Sequence, residues 1–329
     1  MSRPALSALR AIEIIDFMSQ TPSRAFTLTE LVNHTGTNVS SLHSILAVLL
    51  SRGYLVRHPV HKAYRLSPAL AAIGEAVASS EPILAHAKRA IAQLAARTEF
   101  EVILMARTGD DIICLARAGT APHLRASVRV GQRVPLRPPL GGMYLAWSPE
   151  AEIDAWLKEG DVADLERRRR ALQLIRERGF LARIHSNAQS ELKRVLAAPN
   201  ASRAKAERET ARALKNLEQA MYQPVTIEPE EFYDIDFIGA PIFDHAHEAR
   251  FTITLQGFVA PLNGQEILRL GRDLIEACGD VMRDSDVHIE PPSTEAAGRA
   301  PQARSIRSTR ATSSGGKQGS SRRRKVSLS

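Results

Sequence analysis

The chain has 329 residues, more than one hydrophobic core usually organises, so two globular domains are expected. With 44% apolar and 24% charged residues it has the balance of a soluble protein, and no apolar run approaches the roughly 18 residues a membrane helix needs. The formal charge of +8 resides in the tail: from Pro291 onward stand nine basic residues and one acid, leaving 35 of the 44 basic and 35 of the 36 acidic residues in the first 290. Net charge is therefore no argument for nucleic-acid binding by the folded part. The N-terminus, interrupted by Arg10, Glu13 and Asp16, reads as an amphipathic helix and not as a secretory signal, so the cytoplasm is the expected compartment. Cys114 and Cys278 are too few and too far apart for a disulfide framework or a zinc site, and read as two buried thiols.

In chain order, Leu9, Ile12 and Ile15 set a helical stripe over Ser7 to Ser19, stopped by Thr21, Pro22 and Ser23. Thr27 to Glu30 has capping-box spacing and opens a second short helix that Gly36 ends. Asn38 is a suitable N-cap for a third helix, Val39 to about Arg52, whose buried face is Leu42, Ile45, Leu46, Leu49 and Leu50. Tyr54 to His58 and Lys62 to Leu66 read as two short strands around a Pro59-Val60-His61 turn. Three helices and a hairpin are the order of a winged helix-turn-helix, in which the third helix offers its N-terminal side chains to base edges. Here those are Asn38, Ser40, Ser41, His43 and Ser44, while Arg57, His61, Lys62 and Arg65 sit on the hairpin, where a wing meets phosphates. A three-helix module that binds protein, with a merely solvated serine-rich helix start, is the competing reading.

These residues resemble the IclR-type transcription regulators. The resemblance is carried by Thr27-Leu-Thr-Glu-Leu31, Thr35-Gly36, Ser40-Ser-Leu-His-Ser-Ile-Leu46, Gly53-Tyr54 and Tyr64-Arg-Leu66. Ser44 stands where the family has an arginine, a departure that removes a phosphate anchor.

Beyond the hairpin, Ser67 to about Ala78 is an alanine-rich linker helix, and Pro82 starts an amphipathic helix to Thr98. Strands are expected over Glu101 to Arg107, Ile112 to Ala118 and His123 to Val130, with a second hairpin formed by Phe237 to Phe243 and Arg250 to Gly257 and a closing helix from Gln265 to Met282. The resemblance implies that this α+β unit is a GAF-like effector domain whose ligand contacts fall on Leu140, Gly141, Phe237, Thr254 and Gln256. Phe237 fills space there, and Pro138 with Pro139 stiffens the adjoining loop. A charged, helix-favouring stretch near 185–222 exceeds the family's short connection; it reads as a solvated surface insertion or, alternatively, as a helical hairpin at an interface.

Asp244, His245, His247 and Glu248 are metal-ligand types crowded on one tight turn, where they diverge, so no metal is expected. Arg167 to Arg170 reads as a solvated helix face. No phosphate loop or hydrolase elbow is present, so neither enzymatic activity nor a cofactor is expected. The tail cannot bury enough apolar surface to offset its ordering entropy and reads as disordered. The expected organisation is multidomain: 1–66 winged helix-turn-helix, 67–82 linker helix, 83–290 effector domain, 291–329 basic tail. The expected function is a regulator that binds double-stranded DNA as a homodimer or homotetramer under control of a small-molecule effector. The alternative is a sensing or interaction module with degenerate DNA binding.

Overall fold

The computed structural model describes residues 5–120, 128–160, 164–197, 203–219 and 226–287. The basic tail, and most of the strand expected at 123–130, lie outside them.

Helices α1 (Leu6–Ser19), α2 (Leu28–Thr35) and α3 (Val39–Ser51) pack around a core of Ile14, Phe17, Met18, Leu31, Leu42 and Leu46. The capping box at α2 closes both ways: the Thr27 hydroxyl accepts from the Glu30 amide at 3.3 Å, and the Glu30 carboxylate accepts from the Thr27 amide at 2.8 Å. That backbone hydrogen bond holds the Glu30 carboxyl below its ordinary range. The Asn38 side chain accepts from the Ser41 amide at 2.8 Å and starts α3. The wing is an antiparallel pair, β1 (Leu55–Arg57) and β2 (Tyr64–Leu66), in which Leu55 faces Leu66 and Arg57 faces Tyr64. It is shorter than the sequence suggests because residues 58–63 are occupied by the turn: the His58 amide donates to Ala63 and the Lys62 amide to His58. Phe26 adds a bridge to Tyr64, tying the wing to the entrance of α2.

Helix α4 (Ala69–Ser80) buries none of its residues, and α5 (Pro82–Thr98) follows directly. The second domain is built on a six-stranded antiparallel sheet of β3 (Glu101–Thr108), β4 (Asp111–Ala118), β5 (Arg133–Pro135), β6 (Leu181–Ile184), β8 (Ile235–Phe243) and β9 (Ala249–Gln256), in the spatial order β5-β4-β3-β9-β8-β6. A small pair, β7 (Phe232–Tyr233) and β10 (Leu262–Asn263), lies outside it. The third strand of the first hairpin system is thus Arg133–Pro135, ten residues beyond the start of the expected one, and residues 128–130 are not strand.

Alternation along the strands sends side chains to two different cores. Val102, Leu104, Ile238, Ala240, Ile253 and Leu255 face α5 and α11 (Gly264–Asp284), where Ile91, Leu94, Leu270 and Leu274 meet them. The opposite face carries Ile103, Met105, Phe237, Thr252, Thr254 and Gln256 toward α6 (Gly142–Leu145), α7 (Glu150–Lys158) and α8 (Leu165–Arg178). Close packing there depends on Gly239, since a Cβ at that position would stand 2.8 Å from Thr254 and 2.9 Å from the Met143 sulfur.

One feature corrects the sequence reading, and a second decides between two readings left open. Arg168 does not belong to a solvated face: it is 2% exposed, donates to the Leu157 carbonyl at 3.2 Å and pairs with Glu218 at 3.5 Å. Its partner comes from the stretch near 185–222, for which a solvated insertion and a helical hairpin are the two readings, and which forms helices α9 (Asn187–Ala197) and α10 (Arg203–Gln219). Leu192, Val195, Ala213, Leu214 and Leu217 of this hairpin are buried against one another and against Leu140. The chain leaves and re-enters the sheet at a single rung, where Ile184 of β6 pairs with Ile235 of β8.

Candidate functional site

The first candidate surface lies on α3 and the wing. Asn38, Ser40, His43 and Ser44 are exposed and Ser41 is half-buried, while Leu42, Ile45 and Leu46 turn inward, so the N-terminal turns of α3 present a mainly polar edge beside the exposed Val39. Two of these groups are partly committed within the helix: the Asn38 carbonyl oxygen caps it, and the Ser44 hydroxyl donates to the Ser40 carbonyl at 3.2 Å. Arg57, His61, Lys62 and Arg65 are all exposed on the wing, with the Arg57 guanidinium 5.4 Å from the centre of the Tyr64 ring. Sequence reasoning missed His58. Its Nδ1 accepts from the amides of Val60 (3.3 Å) and His61 (3.1 Å), and its ring stacks on that of His61 at 4.7 Å, so it shapes the turn that carries Lys62.

The second candidate is a cavity of about 140 Å³ on the inner face of the large sheet. All five residues expected there, Leu140, Gly141, Phe237, Thr254 and Gln256, line it. The loop bearing Leu140 is fixed by the Trp156 indole, which donates to the Leu140 carbonyl at 3.2 Å. Gly141 follows with a left-handed φ of 93°, where any Cβ would stand 2.4 Å from Leu136. The Gln256 amide nitrogen donates to the buried Glu101 carboxylate, which also takes the Arg117 guanidinium, so one of its two N–H donors is committed. Tyr144 and Thr252 share a buried hydrogen bond of 2.9 Å, and burial pushes the Tyr144 phenol above its ordinary range.

Cationic groups reach this mainly apolar space from one side. Arg183, 3% exposed, donates to Gln189 at 3.0 Å and to the Pro139 carbonyl at 3.4 Å, and its guanidinium lies 5.1 Å from the Phe237 ring centre. Lys193 of α9 also lines the cavity and is paired with Asp236. Neither Arg183 nor the α9 residues belonged to the expected set. The available signal was the spacing of Gln189, Leu192, Lys193 and Leu196, which share one face of a helix. Cys114 and Cys278 are buried thiols whose pKa values are pushed up to about 12, chiefly by desolvation, which suits packing and not nucleophilic work. At the turn of Asp244 to Glu248, the Asp244 carboxylate accepts from the amides of Ala246 and Glu248, and among the described residues no group of three potential ligands is placed to hold a metal.

Strand β5, which borders the cavity, also contacts the N-terminal module. The Arg133 guanidinium reaches Asp16 of α1 at 3.1 Å and Asp111 of β4 at 3.6 Å. Its neighbour Val134 lines the cavity.

Comparison with known proteins agrees with this division. Residues 7–59 match the family model of the IclR helix-turn-helix domain, and residues 75–183 match that of the bacterial transcriptional regulator IclR C-terminal domain. The HTH-type transcriptional regulator XynR of Escherichia coli is 28% identical over 192 residues, 56% of this chain and 76% of that one. The HTH-type transcriptional regulator KipR of Bacillus subtilis is 23% identical over 286 residues, 84% of this chain and 96% of its own. Among solved structures, an IclR transcriptional regulator from Alicyclobacillus acidocaldarius superposes with a TM-score of 0.62 at 21% identity, covering 86% of this chain and all of that one. An IclR homolog from Microbacterium hydrocarbonoxydans, solved in complex with 4-hydroxybenzoate, gives 0.56 at 16% identity over 86% of this chain and all of the other.

Proposed function

The chain belongs to the IclR-type transcriptional regulators, DNA-binding proteins with a C-terminal effector-binding domain, and from that premise we propose how this member divides the work. Ser41 and His43, with Asn38, Ser40 and Ser44, read base edges in the major groove. Arg57, His61, Lys62 and Arg65 hold the phosphates beside it. The effector occupies the sheet-face cavity against Leu140, Gly141, Phe237, Thr254 and Gln256. It is a single-ring-sized molecule with an apolar body and one anionic group, since a cavity of roughly 150 Å³ accommodates benzene and the cationic side chains here lie on one side. The 4-hydroxybenzoate complex of the Microbacterium protein has the same chemical character. The convergence of all five family contact positions with Arg183 on one cavity is the observation that carries this reading.

The protein acts in the cytoplasm as a homo-oligomer on a two-fold symmetric operator, because paired half-sites require paired recognition helices. Leu6, Leu9 and Ile12 of α1 and Ile73 and Val77 of α4 are among the exposed apolar side chains available for that association. Occupancy is passed on through Arg133, whose strand borders the cavity and whose side chain grips α1. An effector acts by favouring one arrangement of that bridge over another.

Selection of bound fragments from random DNA with the purified protein tests the regulatory half. Enrichment of one symmetric motif is expected, and salt-sensitive binding without a motif would replace specific recognition by a degenerate module. That second reading has one observation in its favour, the Ser44 hydroxyl turned to its own helix where the family has an arginine. The basic tail adds sequence-independent affinity through counterion release, so removal of residues 291–329 lowers the salt dependence of DNA binding; an unchanged slope would refute the tail's role.

A further inference from the structure

Tyr144 comes from α6 and Thr252 from β9, and both line the cavity. They are 3% and 1% exposed, and their hydroxyl oxygens stand 2.9 Å apart. Two hydroxyls carry two hydrogens, and the bond between them uses one. Among the described residues neither oxygen has another hydrogen-bond partner, so the second hydrogen is left without an acceptor. Lone pairs remain on both oxygens as well. An O–H group buried without an acceptor costs the free energy of its lost hydration, so a cavity lined by one is completed by an acceptor that a ligand brings. Burial also keeps the Tyr144 phenol protonated, so the donor persists at neutral pH.

Sheet register separates this pair from the cationic side. Arg183 of β6 faces Phe237, which faces Gln256, whereas Thr252 lies four residues back along β9, between Pro241 and Met105. The even spacing keeps Thr252 on the same face of the strand as Thr254 and Gln256. Resting on the reading of this cavity as the effector site, we propose that the Tyr144–Thr252 pair is a second polar subsite, which takes a ring hydroxyl of the effector on the side away from its acid group. A hydroxyl fits both halves of the pair: its oxygen accepts the spare hydrogen, and its own hydrogen goes to a remaining lone pair. A methyl group of similar size does neither and leaves the buried donor unmet. The pair therefore sets hydroxylated rings apart from alkylated ones, a discrimination that apolar contacts make poorly between groups of similar volume.

The test is calorimetric titration of the full-length protein with 3- and 4-hydroxybenzoate and with 3- and 4-methylbenzoate. At one of the two ring positions the wild-type protein is expected to bind the hydroxyl compound about tenfold more tightly than its methyl counterpart. The double variant Tyr144→Phe with Thr252→Val replaces both hydroxyls by groups of similar shape and leaves no donor stranded. It should reverse the preference and favour the methyl compound by about threefold. An unchanged circular dichroism spectrum and retained operator binding show that the variant is folded; if it fails that check, Thr252→Val alone decides, with the hydroxyl preference reduced to about threefold. Thr254→Phe, which fills the cavity from β9, should abolish binding of every probe. Equal wild-type affinities for hydroxyl and methyl compounds at both positions, or a wild-type ratio kept by the deciding variant, would overturn the subsite; loss of binding in Thr254→Phe would then leave the effector site standing. Wild-type affinities in Thr254→Phe would remove the effector site, and the subsite with it. Absence of wild-type binding to all the probes at millimolar concentration would overturn the anionic, ring-sized class and the proposal with it.

Discussion

Helices α1 to α3 and the α9–α10 hairpin are both small helical modules, yet they hold together on different terms. The N-terminal module has its own core, with Ile14, Leu31, Leu42 and Leu46 at or below 1% exposure, and its ends are fixed by local devices such as the Thr27–Glu30 box and the Asn38 cap. The hairpin's apolar side chains are completed by Leu140, and its charged anchors find partners on α8 and β8. The first module depends on neighbours in sequence, the second on neighbours in space.

The largest expected effect that sharpens this contrast comes from matched truncations. Leu46→Ala and Leu217→Ala each remove a fully buried side chain and are expected to cost about 2–5 kcal/mol. Leu46→Ala should abolish operator binding, whereas Leu217→Ala should leave DNA binding of the unliganded protein intact and loosen ligand binding. Equal loss of DNA binding from both, measured by fluorescence anisotropy, would break the contrast.

Next comes the anchor. Arg168→Met removes the buried guanidinium that pairs with Glu218, itself 10% exposed, and should lower stability in urea melts by about 3 kcal/mol. Arg169→Ala, which removes a partly exposed ion pair with Glu150 and Asp154 one residue away, should cost about 0.5 kcal/mol or less. Similar losses from the two would mean that burial does not distinguish these arginines.

Within the N-terminal module, His43→Ala should relax preference at one operator position by about 1–3 kcal/mol. Lys62→Ala should weaken all sequences alike and reduce the salt slope by about one. Uniform weakening from both would contradict the separation of base reading from phosphate contact.

The smallest expected effect concerns the capping box. Because the folded Glu30 carboxyl is held below its unreacted value of 4.5, chiefly by the Thr27 amide, its contribution is complete above pH 4.5 and is lost as the pH falls through the lowered value. At this partly exposed position a few tenths of a kcal/mol are at stake. Thermal melts of Glu30→Gln should lack that acid-side decline.

Legibility in the sequence follows the same divide. Capping spacing, apolar stripes and helix-stopping glycines are local signals, and from them the three N-terminal helices, the wing and the two central hairpins could be placed. The five cavity positions came from resemblance, not from spacing. What escaped was long-range: the burial of Arg168 depends on Glu218, fifty residues away, and high charge concealed the stripe of α9. Strand β5 has three residues, too few for alternation to register. His58 was passed over because its work is done by a ring nitrogen accepting backbone amides, which residue type does not announce.

The rung on which Ile184 faces Ile235 has a consequence for how such a pocket changes over generations. The intervening segment is a closed excursion, departing from and returning to adjacent strands, so altering its length leaves the hydrogen-bond ladder undisturbed. Each doubling of such a loop costs only about 0.6 kcal/mol of closure entropy. A segment mounted there can change length without shifting the strand register, provided that the Arg168–Glu218 and Lys193–Asp236 pairs and the packing on Leu140 are kept.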